Sequence, residues 1–152
     1  MHKLDLEPNT PEWLEARAQY RTASEAAIVC GESPFTTPKK FKLIKAGLVK
    51  QYYSKAMAQG HIQEEQIRQW AGDKLDADFK EEVWVNGDYL ASLDGIDKDV
   101  LVEIKNSSFT FAKINAGIIE THYWLQIQQQ LHCSPASVGY LVAHCPKTGG
   151  YA

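Results

Sequence analysis

The sequence lacks the features of a membrane-inserted or exported protein. Its apolar runs all fall short of the roughly 20 residues needed to cross a bilayer. Its Met-His-Lys-Leu-Asp start has no apolar stretch typical of a signal peptide. Its three cysteines, Cys30, Cys133 and Cys145, are an odd number without the spacing of a metal site. We therefore expect a cytoplasmic protein in which Cys133 and Cys145 are buried thiols.

Internal repeats, linkers and low-complexity tracts are also missing from the sequence. With 152 residues, of which 44% are hydrophobic, the chain has the length and apolar content of a single domain. We expect an N-terminal helical part in residues 1–50 and a core in residues 51–152. Because the chain stops after a turn at residues 146–150, where a return strand would begin, we expect the natural protein to continue past Ala152.

Acidic residues are absent between Glu32 and Glu64, although they dominate from Glu64 to Asp99. The acid-free segment instead carries six lysines, namely Lys39, Lys40, Lys42, Lys45, Lys50 and Lys55. The formal net charge of -3 disfavours a general nucleic-acid coat protein. A basic segment followed by an acidic one suits an enzyme whose lysines hold phosphates and whose carboxylates hold a metal. Any single lysine fits a solvated helix face equally well.

The stretch from residue 89 to residue 106 has the pattern of two short strands joined by a polar turn. Residues two apart on a strand point to the same face, so Glu103 and Lys105 project together while Ile104 points into a core. If the two strands pair as a hairpin, Asp94 at the end of the first strand comes close to Glu103. The pattern therefore predicts two carboxylates and one ammonium group in a small volume.

Two carboxylates supply the oxygen ligands that Mg²⁺ and Mn²⁺ prefer in proteins. A lysine beside them can orient an attacking water and offset charge that builds up on a phosphate. These groups together fit metal-assisted hydrolysis of a phosphodiester. The alternative is a surface hairpin with an ordinary ion pair, because a Glu-x-Lys triplet is common by chance.

The remaining pattern predicts helices on both sides of these strands. Helices are expected from Pro11 to about Tyr20, from Thr22 to Gly31, from Thr37-Pro38 to Gly47, and over residues 52–70 and 119–132. Strands are expected over residues 82–85, 89–93, 100–105 and 137–143, with an Asn86-Gly87 turn between the first two. The segment with Phe109, Phe111 and Ile114 is expected to be a loop over the site. In the last helix, the row Trp124, Ile127 and Leu131 is expected to be core.

Several polar residues on these helices have both a functional and an ordinary explanation. Ser24 lies near a helix N-terminus and Arg17 lies one helix back, so the two could hold an anion, although Ser24 fits a simple helix cap better. Glu64 follows Gly60 by one helical turn and could reach a metal-bound water or lie in solvent. Gln126 could bond the lysine or the attacking water, and it could equally face solvent.

The five histidines share no zinc-binding spacing. Two of them, His61 and His122, come near the site if the helices pack as expected. Each of these side chains is also consistent with a packed or surface histidine.

The order of elements resembles the restriction-endonuclease-type core, an α+β fold with a central mixed sheet between helices and an Asp…Glu-x-Lys signature. More narrowly, the sequence resembles the lambda-exonuclease and YqaJ-type viral recombinase family along nearly its whole length. Seven elements in order carry the resemblance: Trp13-x-x-x-Arg17, Thr22-Ala23-Ser24-Glu25, Ser33-Pro34-Phe35 with Thr37-Pro38, Gly60-x-x-x-Glu64, Ser92-Leu93-Asp94-Gly95, Leu101-Val102-Glu103-Ile104-Lys105, and His122-Tyr123-x-x-Gln126-Ile127-Gln128.

The resemblance implies a 5′→3′ exonuclease that digests one strand of double-stranded DNA and leaves a 3′ overhang for phage-type recombination. It implies that Asp94, Glu103 and the Ile104 carbonyl hold two Mg²⁺ ions, for which Mn²⁺ could substitute. Lys105 would activate the water with help from Gln126. A structure-specific or restriction-type endonuclease with the same chemistry is the closest alternative, and a DNA-binding module without catalysis is a more distant one.

The resemblance also assigns roles outside the acidic cluster. Glu64 would contact the metal shell, and Arg17 and Ser24 match positions that hold the 5′-phosphate of the digested strand. Family members form a homotrimeric ring around DNA and work with a single-strand annealing protein, which implies a phage or prophage protein in a bacterial host. The family usually carries further structure after the last strand seen here.

Overall fold

The computed structural model describes residues 1–49 and 55–152, with the backbone alone for residues 55–62. Six strands in this part of the chain form one mixed sheet. They are β1 (His2–Leu4), β2 (Arg21–Thr22), β3 (Lys80–Asn86), β4 (Tyr89–Asp97), β5 (Val100–Asn106) and β6 (Val138–His144). The strand order is β1-β3-β4-β5-β6, and β2 pairs with β4 outside this path.

The sheet is antiparallel from β1 through β5, whereas β6 at one edge runs parallel to β5 and the short strand β2 runs parallel to β4. The β3–β4 and β4–β5 pairs are antiparallel hairpins, whereas β6 runs parallel to β5 after a helical crossover. Strand β5 therefore lies between two neighbours, as its nearly continuous apolar run predicts. The prediction of paired strands on either side of Asn86-Gly87 is confirmed, and Gly87 has the positive φ of 58° that such a turn requires.

Helices surround this sheet on both faces. They are α1 (Pro11–Gln19), α2 (Ala26–Val29) after a 3₁₀ turn at Ala23–Glu25, α3 (Pro38–Lys45), α4 (Lys55–Leu75), α5 (Ser108–Asn115) and α6 (Thr121–Cys133). Threonines cap two of them, because the Thr10 hydroxyl accepts from the Trp13 amide and the Thr37 hydroxyl accepts from the Lys40 amide. A proline follows each of these caps, as the sequence predicts.

The two long helices cover opposite faces of the sheet. Ile67 of α4 packs with Val102 and Ile104 of β5 in one apolar cluster. Ile127 of α6 packs with Leu101 of β5 in another cluster. Since alternate residues of a strand point to opposite faces, the side chain of Glu103 must lie on the α6 side of the sheet.

Three features differ from the sequence-based expectation. The segment with Phe109, Phe111 and Ile114 is helix α5 rather than a loop, and the Ser107 hydroxyl caps it by accepting from the Thr110 amide. Trp124 is 51% exposed rather than core, although Ile127 on the same helix is buried. The short strands β1 and β2 are not predicted by the sequence because two or three residues are too few to show a period.

Some expectations fall on parts of the chain outside the described residues. These are the start of the long helix at residue 52, the position of Lys50, the side chains of Lys55 and His61, and the surroundings of Gly60. Among the described residues, no helix has the length and apolar character needed to cross a membrane.

Candidate active site

Strands β4 and β5 bring Asp94 opposite Glu103. The paired residues of this hairpin end at Gly95 and Val102. One residue beyond that pair, Asp94 Oδ2 accepts a hydrogen bond of 2.8 Å from the Ile104 amide. The Asp94 carboxylate thus takes the Ile104 amide in place of a main-chain partner on β4. The pairing of β4 with β5 therefore stops next to Asp94 and Glu103.

The glycine after Asp94 allows the close packing at this point. A Cβ atom at Gly95 would lie 2.8 Å from both Phe79 Cβ and Val102 Cγ2, which is closer than side chains tolerate. The Asp-Gly pair in the sequence therefore reflects a packing requirement as well as a chemical one.

Three donors hold the carboxylate of Glu103, which is 1% exposed. Lys105 Nζ and Gln126 Nε2 both donate to Oε1, the latter at 2.8 Å. Gln130 Nε2 donates to Oε2 at 2.5 Å. A buried carboxylate needs such partners because an unpaired buried charge is strongly unfavourable.

The charges in this cluster shift the pKa values of its members. Burial raises the pKa of Asp94 well above its ordinary value, the negative charge of Glu103 raises it further, and Glu64 adds to the effect. Lys105 and the Ile104 amide oppose this shift without cancelling it. For Lys105, burial lowers the pKa, but the carboxylates of Glu103 and Asp94 outweigh burial and raise it above the usual lysine range.

Helix α4 lies beside the acidic pair and is tied to the strands that carry it. Gln63 Oε1 accepts a hydrogen bond of 2.7 Å from Asn106 Nδ2, which ties the helix to the end of β5. The next residue, Glu64, is then near enough for its charge to act on Asp94. One turn later the buried guanidinium of Arg68 donates from Nε to the Asp94 carbonyl at 2.5 Å, and it also pairs with carboxylates of Glu65 and Glu81.

An aromatic group lies next to Lys105. Its Nζ is 5.1 Å from the ring centroid of Tyr123, and that ring lies 4.0 Å from the ring of His122. Phe35 meets His122 edge-on with centroids 5.7 Å apart. Burial lowers the pKa of His122, and the positive charge of Lys105 lowers it further against the opposing effect of Glu120.

The donor set suits a hard divalent cation. Asp94 and Glu103 present carboxylate oxygens, and repulsion from the charge of Glu103 adds to burial in raising the pKa of Asp94. A divalent cation between them would remove that repulsion. Among the described side chains, those of residues 1–49 and 63–152, no group of three or more acidic, histidine or cysteine residues is placed to hold a metal ion.

A second polar pocket forms where α1 meets the 3₁₀ turn. Arg17 Nη2 donates to Ser24 Oγ at 2.9 Å and approaches Thr22 Oγ1 at 3.5 Å. The two hydroxyls are 3.2 Å apart. The Arg17 guanidinium stacks over the indole of Trp13 with its Cζ 4.5 Å from the ring centroid. One guanidinium and two hydroxyls of this kind can hold a phosphate.

The cap of this turn belongs to Thr22 rather than Ser24. Thr22 and Glu25 form a capping box, in which the Thr22 amide donates to Glu25 Oε2 at 3.0 Å. This arrangement leaves the Ser24 hydroxyl facing Arg17. The expectation that Ser24 caps the helix is therefore wrong, because Thr22 is the capping residue.

The lysines of the basic segment divide into two kinds. Lys45 Nζ pairs with Glu25 at 2.9 Å and donates to the carbonyls of Arg17 and Tyr20. It therefore joins α3 to the end of α1 and to the 3₁₀ turn. The side chains of three others on α3 are exposed to solvent, namely Lys39, Lys40 and Lys42. Among the lysines of this segment that the structure describes, this exposed group is the one placed to meet a polyanion.

The structure thus brings most of the predicted residues into two groups. Asp94, Glu103, Lys105 and Gln126 form one group with the Ile104 backbone, and Glu64 lies beside it. Arg17 and Ser24 form the other group. The sequence analysis missed Gln130, Thr22, Trp13 and Arg68. Gln130 had a usable signal, because it lies one helical turn after Gln126 on the same face, and Trp13 and Arg68 stand at the same spacing from Arg17 and Glu64.

Comparisons with known proteins bear on the family and the fold of this chain. The family model of the YqaJ-like viral recombinase domain matches residues 12–137, a range that includes every residue of both groups. A search of curated proteins finds no significant match.

Solved structures with a similar fold include LHK-Exo in complex with dAMP, at a TM-score of 0.78 and 22% identity over 93% of this chain and 79% of that one. They also include an alkaline exonuclease, LHK-Exo from Laribacter hongkongensis, at a TM-score of 0.75 and 22% identity over 94% of this chain and 79% of that one. The predicted restriction-endonuclease-type fold is thereby confirmed.

Proposed function

This chain belongs to the YqaJ-like viral recombinase domain family and is a deoxyribonuclease, and we propose that it is a Mg²⁺-dependent 5′→3′ exonuclease. It would digest one strand of double-stranded DNA and leave a 3′ overhang. The observation that carries this proposal is the convergence of Asp94, Glu103 and Lys105 at the point where β4 and β5 separate. Two acids and one amine in this arrangement suit hydrolysis of a phosphodiester.

In the proposed site, Asp94 and Glu103 would hold two divalent ions together with the Ile104 carbonyl, and Glu64 would lie beside them. Mg²⁺ is the expected metal, and Mn²⁺ shares its preference for oxygen ligands. When bound, these ions polarise the scissile phosphate and stabilise the leaving 3′-oxygen. The residues of this chain supply the orientation of the water and the path of its proton.

Lys105 is the proposed general base. Its Nζ is held against Glu103 Oε1, the same oxygen that accepts from Gln126. After losing a proton to solvent, Nζ accepts a proton from the attacking water while the water oxygen bonds to phosphorus and the bond to the 3′-oxygen breaks. Gln126 keeps the shared carboxylate oxygen in place and so fixes where Nζ lies.

The pocket of Arg17 and Ser24 is the proposed holder of the terminal 5′-phosphate. Hydrolysis at the bond to the 3′-oxygen leaves a new 5′-phosphate on the shortened strand, which can enter the same pocket in the next cycle. The guanidinium, the two neighbouring hydroxyls and the stacked indole support this role. This pocket would set both the direction of digestion and the preference for an end.

The assembly and partners follow from the family resemblance. We propose a homotrimeric ring that encloses duplex DNA, a single-strand annealing protein as partner, and action in the cytoplasm of a bacterium that carries a phage or prophage. Residues 1–152 would form a single nuclease domain, because the N-terminal part contributes β1 and β2 to the sheet of the core.

The test is digestion of three matched duplexes with Mg²⁺: linear with 5′-phosphates, linear with 5′-hydroxyls, and covalently closed circular. We expect fast release of mononucleotides from the phosphorylated linear DNA, slower release from the hydroxyl form, and an intact circle. A structure-specific or restriction-type endonuclease would instead cut the circle. Equal rates on both linear forms would contradict the role of the Arg17 pocket.

A further inference from the structure

Gln130 is fully buried beside the acidic pair, with 0% of its surface exposed. Its amide nitrogen Nε2 donates to Glu103 Oε2 at 2.5 Å and to the Ser92 carbonyl at 3.3 Å. We propose that Gln130 is a positioning residue that fixes the Glu103 carboxylate for binding divalent ions. This inference rests on the proposed function of the site.

The orientation of the Gln130 amide follows from its neighbours. A carboxylate oxygen and a carbonyl oxygen can only accept hydrogen bonds, so the group that faces both of them must be the NH₂ end. The opposite atom, Gln130 Oε1, is buried without a hydrogen-bond partner among the described residues. Buried polar atoms are normally paired. The Gln130 side chain therefore donates to Glu103 and Ser92, while its own oxygen has no hydrogen-bond partner among the described residues.

The contacts of Glu103 divide between its two oxygens. Oε1 accepts from Lys105 and Gln126, whereas Oε2 accepts from Gln130. Because donors hold both oxygens, the Glu103 carboxylate is held against rotation about its Cγ–Cδ bond. Removing the Gln130 donor leaves Oε1 as the fixed end and frees Oε2 to turn. Partners of this kind around a metal-binding carboxylate commonly change metal affinity by about 10–100-fold when they are removed.

The second acceptor of Gln130 links it to the other acid. Ser92 lies two residues before Asp94 on β4, so one amide group contacts both strands that carry the carboxylates. The helix holds Gln130 in place near its end, where the Ser134 hydroxyl donates to the Gln130 carbonyl at 2.8 Å. Gln130 can therefore set the spacing of Glu103 relative to the Asp94 strand.

Helix α6 also offers a matched control. Gln129 donates from Nε2 to the carbonyls of Arg21 and Leu90, at 2.7 and 3.3 Å. It makes two hydrogen bonds to the same sheet, as Gln130 does, but both are to the main chain and neither reaches an acid. Gln129→Met should therefore cost similar stability without changing the metal site.

The experiment compares wild type, Gln130→Met and Gln129→Met. Mn²⁺ binding to the DNA-free protein is followed by titration calorimetry, the Mg²⁺ concentration for half-maximal digestion is measured, and circular dichroism checks folding. We expect Gln130→Met to weaken Mn²⁺ binding and raise the Mg²⁺ midpoint about 10-fold or more, with activity restored at high Mg²⁺. Gln129→Met should keep both values within about twofold of wild type.

A second variant keeps the inference testable if Gln130→Met does not fold. Gln130→Asn retains the amide but is one methylene short of Glu103, so it should show the same loss of metal affinity. Unchanged Mn²⁺ binding in a folded Gln130 variant would overturn the inference while leaving the proposed function in place. A wild-type protein that neither binds Mn²⁺ nor digests DNA would overturn both.

Discussion

The indole nitrogen of Trp13 donates a hydrogen bond of 2.8 Å to the hydroxyl of Ser92, across 79 residues of sequence. Trp13 lies on α1 and supports the guanidinium of Arg17. Ser92 lies on β4, two residues before Asp94. One hydrogen bond thus connects the proposed phosphate pocket to the strand that carries a proposed metal ligand.

Trp13→Phe should weaken the preference for a phosphorylated end while leaving the reaction itself largely intact. Phenylalanine keeps an aromatic face under Arg17 but cannot donate to Ser92, which removes a bond of about 0.5–1.5 kcal/mol. We expect the ratio of digestion rates on phosphorylated and hydroxyl ends to fall about two- to tenfold. A ratio equal to that of wild type would show that the Trp13–Ser92 hydrogen bond does not position Arg17.

Arg17→Ala should remove most of the preference for a 5′-phosphate. A hydrogen bond to a charged group contributes about 1.5–3 kcal/mol, so the ratio of rates on the two kinds of end should fall at least about tenfold. The control is Arg21→Ala, because Arg21 is an exposed arginine on the ring of Tyr89 rather than in the pocket. If Arg21→Ala lowers the ratio as strongly, the effect comes from general positive charge.

Lys105→Met should slow digestion about 10²–10⁴-fold, the usual contribution of a positioned general base. The carboxylates of Glu103 and Asp94 hold the pKa of Lys105 above its usual range, so at neutral pH nearly all of it is protonated. The active deprotonated fraction therefore grows as pH rises. The rate of the wild-type enzyme should increase from neutral into alkaline pH, whereas that of Lys105→Met should not follow the same rise. A flat wild-type profile would contradict the assignment.

Asp94→Asn should stabilise the metal-free protein at alkaline pH. The folded protein holds the pKa of Asp94 above its unfolded value of about 3.8, so its folded state binds the proton more tightly. This contribution to stability is fully present below that value and is lost as pH rises through the raised pKa. Asparagine removes the pH-dependent loss while its side-chain oxygen can still accept from the Ile104 amide.

The corresponding measurement is thermal unfolding with a chelator at pH 5 and pH 8.5. The melting temperature of Asp94→Asn should exceed that of wild type by about 3–6 °C at the higher pH, with a smaller difference at the lower pH. A difference that shrinks toward alkaline pH would show that the fold does not raise the pKa of Asp94.

The core strands and the placement of their polar residues could be predicted from the sequence. Side-chain alternation and turn type depend on residues that are neighbours in the chain. Alternation along β5 places Glu103 and Lys105 on one face, and the Asn86-Gly87 turn fixes the preceding hairpin. The opposition of Asp94 and Glu103 follows from the pairing of β4 with β5. The role of Gly95 in packing against Phe79 could not be predicted, since it depends on a residue brought near by the fold.

The helices were harder to interpret because their environment is set by tertiary contacts. Gln130 is fully buried and Trp124 is half exposed, the reverse of what residue type predicts. The buried acid Glu103 explains the first case, because it requires a polar donor from the helix that covers it. The structure gives no corresponding account of Trp124.

The most direct test of the central claim is digestion of a 5′-phosphorylated linear duplex by wild type and Asp94→Asn, each with Mg²⁺ and with a chelator. Circular dichroism establishes that both proteins are folded. We expect mononucleotide release from wild type only when Mg²⁺ is present, and a loss of at least about 10³-fold in the folded variant, because Asp94 is one of the two carboxylates proposed to hold the ions. Digestion by folded Asp94→Asn at the wild-type rate, or by wild type in the chelator, would contradict the account.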